Sequence, residues 1–258
     1  DTLWTENNGL VLRKNGKITS IVFLLDGSLR CGGEQTRSGY IYAACTAPEH
    51  RGKGYMSALL NGADDIARRQ GKEFLCLVPS EQSLFEYYAR FGYLSSFKTK
   101  KIVLSRFVLE QIADTLQSVT DPSPKELEEL RSECLAADNA FIWGRDVIEY
   151  AREETLFTGG KAVYAAKNGR LSAYAFANRI RNRTVIKELC VRDNAFGTLA
   201  TNLLEDDAET YEFHLPMSFP LSADRFSVID KGMLKPLTDC ARRAAVHCKD
   251  AYIGLTLE

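Results

Sequence analysis

Between Ala47 and Leu60 the chain reads Ala47-Pro48-Glu49-His50-Arg51-Gly52-Lys53-Gly54-Tyr55-Met56-Ser57-Ala58-Leu59-Leu60, a basic, glycine-bearing turn that follows a β-rich run and opens a helical one. A strand that ends in such a turn presents unpaired main-chain N–H groups on one concave surface, backed by the positive end of the helix dipole. Gly52 and Gly54 carry no side chain to hold an anion away from the backbone, and Arg51 and Lys53 add local positive charge. The segment reads either as a seat for a diphosphate or as a plain strand-to-helix turn. It is neither a Walker loop, which needs Gly, four residues and Gly-Lys-Ser/Thr, nor a dinucleotide fingerprint, since the third glycine is missing.

A second cluster follows at Phe85-Glu86-Tyr87-Tyr88-Ala89-Arg90-Phe91-Gly92-Tyr93. A phenol such as that of Tyr88 can donate a proton to a departing group or simply pack. His50, the titratable side chain nearest the turn, reads as solvent-facing or anion-contacting. Cys45 could act as a nucleophile, although cysteine is also among the commonest small core residues. The run Gly39-Tyr40-Ile41-Tyr42-Ala43-Ala44-Cys45-Thr46 offers no carboxylate, so no general base is assigned.

The elements that position these residues are legible as patterns. Leu10 to Leu12 and Ile18 to Leu25 flank Asn15-Gly16, a hairpin signal; Gly39 to Thr46 is a third strand after a Gly-rich connection. Apolar residues at Met56, Leu59, Leu60, Ala63, Ile66 and Ala67 give Tyr55 to Arg69 a helical period that stops at Gly71. Phe74 to Val78 is a short buried strand, Ser83 to Phe91 a helix, and Phe97 to Leu104 a strand.

Leu116 to Pro124 is polar and proline-bearing, a connection between domains. Beyond it, Pro124 to Ala136 and Gly144 to Glu154 read as helices, and Val163 to Ala166 and Leu171 to Asn178 form a hairpin around Asn168-Gly169. Lys167-Asn168-Gly169-Arg170-Leu171 echoes Lys14-Asn15-Gly16-Lys17-Ile18, the mark of an internal duplication. A strand at Thr184 to Val191, a helical stretch Ala195 to Leu204, and strands at Tyr211 to Leu215, Met233 to Leu237 and Tyr252 to Leu257 complete the second copy. Its turn, Arg192-Asp193-Asn194-Ala195-Phe196-Gly197-Thr198, lacks the glycine-rich basic character of the first, and Asp193 repels phosphate.

With 258 residues the chain exceeds one compact domain. The expected division is a first domain over 1–107, a linker over 108–122 and a second domain over 123–258. Lys plus Arg (33) nearly cancels Asp plus Glu (34), so no global field draws the protein to nucleic acid or an anionic membrane. The apolar runs are too short to span a bilayer and no signal peptide is read, so a cytoplasmic location is expected. Cys31, Cys45, Cys76, Cys134, Cys190, Cys240 and Cys248 show no ligand spacing and read as reduced thiols; with His50, His214 and His247 alone, no metal site is expected.

Taken together, the turn and the tyrosine helix resemble the GNAT superfamily, whose acetyl-CoA signature is Arg/Gln-x-x-Gly-x-Gly/Ala. Here Arg51, Gly54 and Met56 hold those places, Met56 departing from the pattern, as in tandem acetyltransferases of the enhanced-intracellular-survival type. The resemblance implies an α/β fold with a mixed sheet, two GNAT-like domains in tandem, the second degenerate and the first lacking its N-terminal strand and two helices. It implies that acetyl-CoA lies on Cys45, Thr46, Ala47, Arg51, Gly52, Lys53, Gly54, Tyr55, Met56 and Ser57, with amides from Arg51 to Met56 on the diphosphate and the Cys45–Thr46 strand along the pantetheine arm. Tyr88 matches the tyrosine that protonates the departing thiolate. The implied reaction is direct acetyl transfer to an amine of a small molecule, a peptide N-terminus or a lysine; the alternative is a non-catalytic acyl-CoA-binding pseudoenzyme.

Overall fold

The computed structural model describes residues 8–114, 121–220 and 226–256. Along the chain run β1 (Gly9–Lys14), β2 (Lys17–Cys31), β3 (Glu34–Thr46), α1 (Tyr55–Arg69), β4 (Phe74–Leu77), α2 (Ser83–Ala89), β5 (Leu94–Ser105), α3 (Arg106–Ile112), α4 (Pro124–Cys134) and β6 (Ala140–Ile142). They are followed by α5 (Arg145–Phe157), β7 (Lys161–Lys167), β8 (Arg170–Ile180), β9 (Arg183–Val191), α6 (Phe196–Leu203), β10 (Thr210–Leu215), β11 (Ser227–Pro236) and α7 (Asp239–Ala244). This is a mixed α/β fold. Among the described residues no helix is long and apolar enough to cross a membrane.

The described residues of 1–97, 139–142 and 230–251 form one compact unit, and those of 98–138, 143–229 and 252–258 form another. The units interleave along the chain, unlike the contiguous division expected from the sequence. The reason lies in strand pairing: β11 lies antiparallel to β4, with Met233 opposite Leu77 and Pro236 opposite Phe74. The expected linker also differs, because residues 108–112 belong to α3, where Leu109 is fully buried in the second unit's core. Its residues 115–120 lie outside the described residues.

In the first unit the strand order is β1-β2-β3-β4-β11, with β6 on β2. The Asn15-Gly16 turn has both residues at positive φ, as a two-residue hairpin requires. Strands β2 and β3 continue six and five residues past the sequence reading, at Cys31 and Glu34, through what the glycines suggested was a connection. Leu29 and Cys31 are buried there, and Ser28 to Arg30 pair with β6; that contact is remote in sequence and therefore invisible to periodicity. Helix α1 occupies the expected residues and packs Leu59, Leu60, Ala63 and Ala67 on Val22, Leu24, Ile41, Leu75 and Leu77. Asp64, on the same helix, is ion-paired with Lys235 of β11.

One expectation is overturned here. Cys31 and Cys248 are joined in a disulfide, across a sequence separation of 217 residues that no spacing rule could bridge. Cys45, Cys76, Cys134, Cys190 and Cys240 remain free. Thiol titration of the denatured protein is expected to give five reactive groups before reduction and seven after it; seven at the outset would contradict the pairing.

In the second unit β5 pairs antiparallel with β10, β10 parallel with β9, and β9 and β7 antiparallel with β8. Leu199, Ala200 and Leu203 of α6 and Leu109 of α3 pack on Ile102, Ala175, Ile186 and Phe213. A buried ion pair sits apart from that apolar core: Arg131 Nε donates to Glu188 Oε1 at 2.8 Å, both side chains about as buried as the core, and the Tyr252 hydroxyl donates to Glu188 Oε2 at 3.1 Å. Trp143 Nε1 donates to the Gly254 carbonyl, so the segment read as a final strand is held by side-chain bonds. Only Ala251 and Tyr252 bridge there, and residue 257 lies outside the described residues. Glu188→Ala removes the carboxylate that buried Arg131 donates to and is expected to destabilise the protein by about 3–5 kcal/mol in chemical denaturation; a loss under about 1 kcal/mol would deny the pair its role.

Candidate active site

The site grows out of β3. Its parallel pairing with β4 covers only Ser38, Gly39 and Tyr40, opposite Phe74, Leu75 and Cys76, although β3 runs on to Thr46. On the other edge, Phe23 faces Tyr42 while Ile21 faces Cys45, so Val22 stands against two residues, Ala43 and Ala44. This is a bulge, and Ala43 takes φ +48° at it, a conformation unfavourable to a residue with a Cβ. Strain of this kind, of order 1–3 kcal/mol, persists where the surroundings demand it and clusters at functional sites. β4 ends at Leu77, one residue past its last pair with Tyr40, so among the described residues no strand pairs β3 on that side over the stretch that carries the bulge.

The chain then turns. Pro48 to His50 make one 3-10 turn, Arg51 is extended, and Gly52 (φ +72°) and Gly54 (φ +78°) carry the backbone through the left-handed region into α1. Within 4 Å of where a Cβ would stand on either glycine the protein places nothing. The first amides of the turn are used internally: Ala47 N–H bonds the Thr19 carbonyl, His50 N–H the Ala47 carbonyl and Arg51 N–H the Pro48 carbonyl at 3.2 Å. Among the described residues no main-chain acceptor takes the N–H of any residue from Gly52 to Ser57; Ala58 N–H, bonded to the Gly54 carbonyl, starts the helical ladder. The open amides therefore begin at Gly52, one residue later than the sequence resemblance implied.

A cavity of about 390 Å³ opens on these amides. Thr46, Arg51, Gly52, Gly54, Tyr55, Met56 and Ser57 line it, and so does Tyr88 of α2; of the expected residues, Cys45, Ala47 and Lys53 do not. Cys45 is exposed, while the Lys53 ammonium donates to the Glu49 carbonyl at 2.7 Å and Arg51 Nε to the Thr46 carbonyl at 3.2 Å. Both basic side chains thus brace the turn while keeping their charge beside it. Met56 lines the cavity and packs on the first unit's core, which explains how the turn tolerates a large residue where the family pattern has a small one.

Ala44, His50, Leu84 and Tyr87 also line the cavity. The sequence singled out His50 but gave no signal for Ala44, whose place follows from the bulge. Tyr87 adjoins Tyr88, with ring centroids 5.3 Å apart and edge-on, and Tyr88 also meets Tyr93 at 5.9 Å. This aromatic cluster buries the Tyr88 ring to 8% exposure. Burial, assisted by Tyr87, pushes the Tyr88 phenol up to about 12, so it keeps its proton at neutral pH. Its hydroxyl makes no hydrogen bond with another described residue.

Residues 1–95 match the family model of the acetyltransferase (GNAT) domain. No curated protein sequence matches the chain. Solved structures share its fold at low identity. A GCN5-related N-acetyltransferase from Kribbella flavida aligns with a TM-score of 0.71 and 19% identity over 92% of this chain and 62% of its own. A GCN5-related N-acetyltransferase from Anabaena variabilis aligns at 0.71 and 17%, over 91% and 64%, and Eis1 from Mycobacterium abscessus at 0.64 and 17%, over 89% and 64%. The chain thus spans less than two thirds of the length of these proteins. Family match and fold agree: over residues 1–95 the chain is similar to a GNAT acetyltransferase domain.

Proposed function

We propose that the chain is an acetyl-CoA-dependent N-acyltransferase, transferring the acyl group directly to the amine of a small molecule or peptide. One observation carries the reading: the open amides of Gly52 to Ser57 and the hydroxyl-bearing Tyr88 line the same cavity. The residues suit the donor. Converging N–H groups at a helix start can donate to a diphosphate, and the edge of β3 beyond its last pair with β4 can add an extended amide-bearing arm as a further strand. Bound there, the donor supplies the thioester carbonyl; Tyr88 supplies the proton that the departing thiolate needs.

The proposal keeps two GNAT-like repeats, one in each unit, the second a degenerate copy of the first. The donor is a metabolite of the cell interior, which favours the cytoplasm as the place of action.

The test is acetyl-CoA-dependent thiol release over a panel of amines comprising aminoglycosides, peptides with free N-termini and lysine. Release with at least one acceptor class is expected. A silent panel with tight acetyl-CoA binding would favour the non-catalytic acyl-CoA-binding reading, and absence of binding would defeat both.

A further inference from the structure

The second unit repeats the site's geometry with its charge reversed. Its parallel pair, β9 and β10, is bonded only from Arg183 opposite Thr210 to Ile186 opposite Phe213, while β9 continues to Val191. A bulge sits at that point, since Phe176 faces Glu188 but Ala177 faces Ile186, leaving Lys187 extra. As in the first unit, the strand runs past its last parallel pair, carries a bulge, turns and enters a helix. Beside this turn lies a cavity of about 620 Å³, within the size range of small-molecule sites.

The walls carry carboxylates where the first unit's turn is basic. Where the first turn has Gly52 and Lys53, this one has Asp193 and Asn194, both at positive φ. Two carboxylates, Asp138 and Asp193, line the cavity among Leu135, Val191, Phe196 and Phe219. Asp138 accepts one hydrogen bond, from the Ser218 hydroxyl at 2.9 Å, and no cation partners it among the described residues. The lining arginine, Arg192, has its charge committed: Nη1 is paired with Glu133, Nη2 donates to the Leu171 carbonyl at 2.5 Å, and Nε lies 3.7 Å from Asp193 Oδ2. An anion here would meet two carboxylates; an apolar body carrying a positive charge would satisfy both the walls and Asp138.

We propose that this cavity binds an organic cation, a protonated amine with an aliphatic or aromatic body, anchored by Asp138.

Cys134 provides a reporter, because it lines the cavity and its thiol is held below the usual range, chiefly by a hydrogen bond from Cys190. Exposed Cys45 and Cys240 are internal references. The experiment measures N-ethylmaleimide labelling of each cysteine by mass spectrometry, on the full chain, in the presence of octylamine, octanol or octanoate, which share a tail and differ in charge. Octylamine is expected to slow Cys134 labelling at a concentration ~10-fold or more below octanoate, leaving Cys45 and Cys240 unchanged. In Asp138→Asn octylamine should fall to the level of octanol. Equal or better protection by octanoate in the native chain, or failure of all three to protect Cys134 selectively, would overturn the proposal whatever the variant's stability.

Discussion

Gly54→Val is expected to weaken acetyl-CoA binding by at least about a hundredfold while the first unit stays folded. Gly54 holds φ +78° at the start of α1, where a β-branched residue is strained by about 1–3 kcal/mol. The protein around it leaves open space, so the fold can absorb the side chain by relaxing the turn. Relaxation is the damage, because it redirects the amides of Gly52 to Ser57, which act on a diphosphate only while they converge. Charge-assisted hydrogen bonds contribute about 1.5–3 kcal/mol each, so misplacing two of them accounts for that loss or more. Calorimetric titration checks the affinity and a thermal melt the fold. Binding within about threefold of the native protein, with the turn strained but intact, would mean that the amides do not hold the cofactor.

Tyr88→Phe should do the opposite: leave acetyl-CoA affinity nearly unchanged and lower turnover by roughly 10²–10⁴, the usual contribution of a positioned acid. The ring packing on Tyr87 and Tyr93 survives, so a fall in rate reports the hydroxyl. The pH profile gives a second reading. The protonated phenol is the working form, and burial pushes it up to about 12, so the alkaline limb of the native enzyme lies beyond the ordinary phenol range near pH 10. Activity contributed by the hydroxyl is present below that limb and is lost as pH rises through it; the phenylalanine variant should lack the limb. A variant as fast as the native enzyme would remove Tyr88 from the chemistry.

What the sequence revealed and what it hid divide along a physical line. Elements specified by local pattern were legible: the Asn-Gly turns fixed two hairpins, and the apolar spacing from Met56 to Ala67 gave α1 its observed bounds. The turn with open amides was legible too, because glycines in a basic strand-to-helix turn have a local backbone reason. Long-range partners escaped. The extension of β2 to Cys31 depends on β6, the interleaved units on β11 returning to β4, and the Cys31–Cys248 bond on distant segments meeting. Ala43 is the clearest case: nothing in an alanine announces positive φ, yet it adopts one at a bulge on the strand that leads into the open turn. Tyr87 was passed over because one aromatic in a helix looks like the next until the cavity shows which of them face it.

The central claim is that a diphosphate is held by main-chain amides of Gly52 to Ser57, and the most direct measurement compares acetyl-CoA with S-acetylpantetheine, which keeps the thioester arm and lacks the diphosphate and nucleotide. The account predicts tight binding of acetyl-CoA and affinity lower by ~100-fold or more for the truncated donor. Equal affinity for the two, or no binding of either, would contradict it.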